Sequence, residues 1–283
     1  MPDKAPPPTN FDLQTMLTGL GITENTPEIA KGQIYTCIQE FYRCPSVYNA
    51  QTAEQSKEFQ TAELAIANQV GVNLDLLAIS YLAGRELIAP EHTFNVISPL
   101  RGGTSVTEDS KHKGVLALQE KGIPVKLVNI GISRNGPEAT QYYPVSKDFA
   151  YTETDIVVIK DMGIATGGTG RTAAEDAIAA GAKPENVVIV GAIGTDRARN
   201  HIAEGIVEAA GRRNIEITIE QALSQIHFAV EGQMPCEEDS QYSEDRHDKY
   251  YITKIRASNS DEWVPIPPKD WGDKLTPNVK TVF

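Results

Sequence analysis

The stretch Ile156–Gly181, IVVIKDMGIATGGTGRTAAEDAIAAG, constrains this chain more than any other. An apolar run closes on one carboxylate, Asp161, and a loop follows in which Gly167, Gly168 and Gly170 sit within four residues. An alanine-rich segment with helical spacing completes the unit. A continuously apolar strand has both faces buried, as in the centre of a parallel sheet, and parallel neighbours require crossover connections. The same alternation recurs around it. FNVISPL, VKLVNIGIS, DIVVIK, NVVIVGAI and IEITIE read as strands, and VLALQEKG, TAAEDAIAAG and ARNHIAEGIVEAAG read as helices. The expected fold class is therefore α/β, a mostly parallel sheet flanked by helices.

The rest of the chain frames that core. Residues 1–10 hold four prolines and few apolar groups, so a disordered tail is expected there. Residues 11–283 are expected to form one domain: a helical region over 11–92, an α/β core over 93–228, and a C-terminal part over 229–283. In the helical region, Phe11, Met16, Leu17 and Leu20 mark the apolar side of an amphipathic stretch. A long helix over TAEQSKEFQTAELAIANQVG is expected to end at Gly71, and a second to cover LDLLAISYLAGRELI. Regularity is expected to stop after Phe228. The segment 231–248 carries Glu237, Glu238, Asp239, Glu244, Asp245, His247 and Asp248, a clustering that reads as a solvated surface. KYYITKIRA reads as a strand, and the proline-rich end as irregular loop.

Net charge of −12 argues against a broad phosphate-backbone footprint, so no nucleic-acid partner is expected. No segment reads as a membrane span or signal peptide, and Cys37, Cys44 and Cys236 are too few and scattered for a disulfide framework or zinc site. Free thiols in a reducing cytoplasm are the expectation. The dispersed histidines offer no metal triad, and there is no nucleophile-elbow motif.

The loop Thr166–Gly170 falls where ligands sit in parallel sheets, at a strand's carboxyl end before a helix N-terminus. Glycines expose successive N–H groups and the helix adds its positive dipole end, which suits a phosphate. Each hydrogen bond to a charged oxygen contributes roughly 1.5–3 kcal/mol net. Thr166 and Thr169 would add hydroxyl donors. Asp161 repels phosphate but can accept from two vicinal hydroxyls, so a phosphate with a nearby diol points to a ribose 5-phosphate. Two other readings stay open. GTGRTA matches the dinucleotide fingerprint, although there the glycines follow the strand directly and here DMGIAT intervenes. A purely structural glycine turn is the other. A Walker A loop is excluded because it needs a Lys that this loop lacks.

DMGIATGGTG resembles the phosphoribosyl-pyrophosphate loop of type I phosphoribosyltransferases, and most of all the DPMLATGGS of the uracil phosphoribosyltransferase family. Three further segments follow in the same order. ISPLRGG resembles the family's ILRAG, GISRNGPEATQYY its GLYRDEET…YY, and PPKDWGDKL its GLGDAGDR. The resemblance implies transfer of ribose 5-phosphate from 5-phosphoribosyl-1-pyrophosphate (PRPP) to a nitrogenous base, with release of pyrophosphate. It implies that Arg101, Arg134 and Asp161 are catalytic. Arg101, Gly102, Arg134, Asp161, Ala165, Thr166, Gly167, Gly168 and Thr169 would bind PRPP. Ile164, Asp270, Trp271, Gly272 and Asp273 would line the base pocket in a C-terminal hood. It also implies Mg²⁺ held mainly through PRPP, with Asp270 as a candidate ligand, a non-proline cis peptide at Arg101–Gly102, and a homodimer or higher homo-oligomer.

Several positions depart from the family. Thr104 and Ser105 replace apolar residues, Met162 replaces a proline, and Pro267, Lys269 and Trp271 replace small residues of the base segment. Prolines cannot donate the backbone hydrogen bonds that hold uracil, so the expected base is uracil or, in preference, a modified or different heterocycle, for instance one carrying a negative charge that Lys269 or Lys274 could meet. The alternative class is a non-catalytic regulatory protein that binds PRPP or a nucleotide.

Overall fold

The computed structural model describes residues 12–43, 52–100, 113–135, 138–143, 150–234 and 252–266; the expected tail over 1–10 lies outside them. Two helices open the described chain, α1 (Leu13–Gly19) and α2 (Thr26–Arg43). Asp12 starts α1 by accepting from the Gln14 and Thr15 amides. The next helix, α3 (Ala53–Gly84), runs 32 residues without a break, so the expected stop at Gly71 does not occur. Ala67, Val70, Leu74, Leu77 and Ala78 continue one buried stripe through that point. Their burial outweighs the ~1 kcal/mol that a mid-helix glycine costs. By length and composition α3 could cross a membrane, contrary to the sequence expectation. In the fold it is a core helix, packed against α2 and the sheet.

The strands are β1 (Thr93–Leu100), β2 (Val125–Asn135), β3 (Glu138–Tyr143), β4 (Asp155–Ile164), β5 (Val187–Gly194), β6 (Ile226–Gln233), β7 (Lys254–Ala257) and β8 (Val264–Pro265). They form one eight-stranded sheet in the order β3-β2-β1-β4-β5-β6-β7-β8. β2, β1, β4, β5 and β6 are mutually parallel, whereas β3, β7 and β8 join antiparallel at the two sides. The crossovers carry α4 (Lys113–Glu120), α5 (Gly168–Ala179), α6 (Asp196–Arg212) and α7 (Ile219–Leu223).

Three layers result. On one side Ile34, Ile38, Leu74 and Leu77 pack on Val158, Met162, Val188 and Val190. On the other, Ala173, Ala177, Ile202 and Ile206 pack on Val157, Ile159, Val187 and Ile189. Alternation along β4 and β5 thus sends neighbouring side chains into different layers, and both strands are buried nearly throughout, as a central parallel strand must be.

Four segments differ from the sequence reading. IEITIE is not a strand, because Thr218 and Gln221 form a reciprocal capping box that starts α7. The place beside β5 goes instead to IHFAVEGQ, with Ile189 level with Ile226, so regular structure continues past Phe228. β4 extends beyond Lys160 to Ile164, pairing Asp161 with Gly191 and Ile164 with Gly194, so the acid lies inside the strand. Finally, β3 adds an antiparallel edge to β2, where the sequence shows no apolar run to mark a strand.

Candidate ligand site at the sheet switch point

The parallel strands run outward in opposite directions from the junction of β1 and β4: β2 lies beyond β1, and β5 beyond β4. Connections leaving adjacent strands on opposite sides leave a crevice at their carboxyl ends, the usual ligand position in open α/β sheets. Phe94 to Ile97 of β1 face Ile156 to Ile159 of β4, so the strands end side by side. Arg101 and Gly102 follow directly in sequence after Leu100 but lie outside the described residues, as does the cis peptide expected between them.

Asp161 is 6% exposed. It has the strand parity of Val157 and Ile159, which pack against α5, and its register partner is Gly191. Its Oδ1 accepts the Met162 amide at 2.7 Å. The chain then turns through Ala165, Thr166 and Gly167, and α5 begins at Gly168, inside the glycine run rather than after it. The first helical hydrogen bond is Arg171 N to the Gly167 carbonyl at 2.8 Å. The amides of Gly168, Thr169 and Gly170 therefore precede the helical ladder, at the positive end of the helix. Every residue from Ile164 to Gly170 is buried.

Much of the glycine content has a packing cause. Gly167 takes φ +83°, and a Cβ there would lie 2.7 Å from the Ala198 carbonyl oxygen. At Gly170 a Cβ would lie 2.9 Å from Ile202 Cδ1. What approaches the bare backbone is thus partly α6 itself, and the structural-turn reading accounts for these two glycines. Thr195 completes the seam. Its hydroxyl donates to the Ala165 carbonyl at 2.6 Å and accepts the Ala198 amide at 3.0 Å, fixing the start of α6 to the loop. Sequence reasoning passed over Thr195, although GTDRA after an apolar run is an N-cap signature.

Ile164, Ala165, Thr166, Gly167, Gly168 and Thr169 are thus brought together with Asp161 at the end of β4. Arg134 lies in β2, three residues past Gly131, which is level with the last residue of β1, Leu100. At ~3.3 Å per residue its backbone reaches ~10 Å beyond the end of β1, at the same end of the sheet as the loop. Asp270, Trp271, Gly272 and Asp273 lie outside the described residues, as do Thr104, Ser105, Pro267, Lys269, Lys274 and the acidic run 237–248.

No cluster of three or more His, Cys, Asp or Glu able to hold a metal occurs among the described residues. Asp161 is the one acid in the loop's own strand end, so these residues supply no metal cage; a Mg²⁺ would rely on diphosphate oxygens and water.

A buried charge pair also missed by the sequence reading backs the site. Lys160 Nζ lies 2.5 Å from Asp75 Oδ1 and 3.3 Å from the Gly71 carbonyl oxygen. Burial pushes the Lys160 ammonium below its ordinary range, while the Asp75 carboxylate pulls the other way. On the far side of β5, Tyr81 stacks on His227 at 3.5 Å, and Arg199 lies over the Phe228 ring at 5.3 Å. Burial, then the charges of Arg199, Arg85 and Lys31, push His227 down to about 3.

No family model and no curated protein matches this chain. Among solved structures it is similar to a mutant hypoxanthine phosphoribosyltransferase from Trypanosoma cruzi, complexed with the product IMP, at 14% identity over 48% of this chain and 67% of that one, TM-score 0.35. APRTase from Giardia lamblia, complexed with 9-deazaadenine, gives 15% identity over 60% of this chain and 84% of that one, TM-score 0.34. A purine phosphoribosyltransferase from Pyrococcus horikoshii gives 19% over 45% and 75%, TM-score 0.30. Likenesses this distant carry no functional argument, which must come from the site.

Proposed function

We propose that this chain is a PRPP-dependent phosphoribosyltransferase, moving ribose 5-phosphate to a nitrogenous heterocycle with release of pyrophosphate. The observation that supports it most is the pairing of a buried carboxylate with a helix N-terminus at one strand end. Asp161 and the first turn of α5 share the same side of the sheet at its switch point. The α5 amides and the hydroxyls of Thr166 and Thr169 receive the 5-phosphate, and Asp161 accepts from the ribose 2- and 3-hydroxyls. Because the loop is buried, a bound anion meets a low local dielectric that strengthens each N–H···O⁻ bond.

In the reaction the C1–O bond breaks ahead of attack, and pyrophosphate departs with the bonding electrons. The base nitrogen forms the C1–N bond and gives up its proton to the departing pyrophosphate or to water. Asp161 places an anion beside the cationic sugar. Arg101 and Arg134 are assigned the charge on the leaving group, and Ile164, Trp271 and the segment 270–273 the base. Mg²⁺, when bound, would be held mainly by the diphosphate oxygens and water, and would lower the leaving group's charge.

The test is calorimetry with PRPP and with NAD, followed by pyrophosphate release across a panel of purine, pyrimidine and acidic heterocycles. PRPP binding with turnover on one base is expected. Binding of NAD in place of PRPP refutes the reading, and tight PRPP binding with no turnover on any base makes the chain a sensor. Asp161→Asn keeps an oxygen for the Met162 amide, so folding should be little changed while turnover falls by about 100-fold or more.

A further inference from the structure

We propose that Asp75 and Lys160 form an internal strut between helix α4 and the strand that carries Asp161, and are positioning residues for PRPP binding. This rests on the functional reading above. Asp75 stands on α3 and Lys160 on β4, and both side chains are fully buried. One carboxylate oxygen of Asp75 takes Lys160 Nζ, and the other accepts the Val115 amide at 3.3 Å. Val115 is the third residue of α4, the helix into which the segment containing Arg101 and Gly102 leads. Lys160 is covalently next to Asp161, and strand alternation points the two to opposite layers, Lys160 toward α3 and Asp161 toward α5. A single carboxylate therefore ties the first turn of α4, which follows Arg101 and Gly102 in the chain, to the strand residue next to Asp161.

Stability alone does not account for the pair. Two buried charges lose hydration, and replacing them by apolar groups of like volume is commonly neutral or stabilising. The same face of β4 is otherwise apolar, with Ile156, Val158 and Met162 in the core cluster, so a methionine would fit the packing logic at 160. An apolar pair could not accept the Val115 amide, which sits in the first turn of α4 where amides lack helical partners. The carboxylate accepts an amide of the first turn of α4 from 40 residues away, and through Lys160 it ties α4 to β4.

Two double variants test this, since a single change would strand one charge. Asp75→Leu with Lys160→Met removes both the pair and the acceptor. Asp75→Asn with Lys160→Met removes the pair but keeps an oxygen for Val115. Both should fold. The Leu/Met variant should bind PRPP about 10-fold more weakly, the equivalent of one lost hydrogen bond to a charged group, and the Asn/Met variant should recover most of that. Equal, wild-type affinity in a folded Leu/Met variant overturns the strut while leaving the functional reading intact. Wild-type protein that fails to bind PRPP overturns both. A measurement needing no variant is hydrogen exchange at the Val115 amide of the wild type. PRPP should slow it, and a rate unchanged at saturating PRPP also overturns the strut.

Discussion

Replacing Gly167 by alanine tests how tightly the loop is built. The backbone there has φ +83°, which costs an L-residue ~1–2 kcal/mol. The added Cβ would also stand 2.7 Å from the Ala198 carbonyl oxygen, 3.0 Å from its Cα and 3.2 Å from its carbonyl carbon. All three are backbone atoms of the first turn of α6, held by Thr195, so no flexible side chain can yield. Overpacking of this kind costs ~1–3 kcal/mol. The two together give ~2–5 kcal/mol, which at ~2–4 °C per kcal/mol lowers the melting temperature by roughly 4–20 °C. Calorimetric melting of Gly167→Ala measures it, with Gly163→Ala as control. At Gly163 a Cβ would meet no heavy atom within 4 Å and φ is not in the left-handed region, so the change should shift stability by about 0.5 kcal/mol or less. Gly167→Asn separates the two causes, since asparagine tolerates the left-handed region but carries the same Cβ. It should recover at most the ~1–2 kcal/mol of backbone strain and still melt below the wild type. If Gly167→Ala melts with wild type, or asparagine restores the full wild-type stability, the close approach of α6 does not shape this loop.

Three further outcomes follow from the same contacts. Thr195→Val keeps the shape but strips hydrogen bonds from the Ala165 carbonyl and Ala198 amide, and should cost about 1–3 kcal/mol in chemical denaturation. His227 is held near 3, below its unfolded value, so the native state binds fewer protons across roughly pH 3–6.5 and stability must drop as pH falls through that range. His227→Phe preserves an aromatic partner for Tyr81 and should flatten that acid limb; an equal loss of stability between pH 7 and pH 4.5 in urea titrations of both proteins, or a change of opposite sign, defeats the assignment. Asp161→Asn, described above, should separate turnover from folding.

The central sheet was legible because its signal is strong and local. VVIVGAI has no polar residue to place, so β5 admits one reading, and the glycine run after β4 announces a strand-to-helix turn at the correct end of the sheet. Failures came where tertiary contacts decide. Gly71 carries the sequence mark of a helix stop, yet the helix continues because burial of the residues on both sides outweighs one glycine. IEITIE alternates like a strand, yet its Thr and the Gln after it cap a helix while the next segment takes the edge of β5. Lys160 read as the polar end of a strand, and its partner Asp75 lies 85 residues away, a separation that no local pattern encodes. The site divides in the same way: the β4 loop belongs to one continuous stretch, whereas Thr195 enters it by a return of the chain.

That same 85-residue separation has a temporal side. Ribosomes deliver α3 first and the strand that covers it only later, about 4–17 s at typical elongation rates. Throughout that interval a 32-residue helix, long and apolar enough by composition to cross a membrane, carries Asp75 in its second half without the strand that later covers it. Burial of α3 against the full sheet is therefore a late event of synthesis, set by chain order rather than by the final balance of energies.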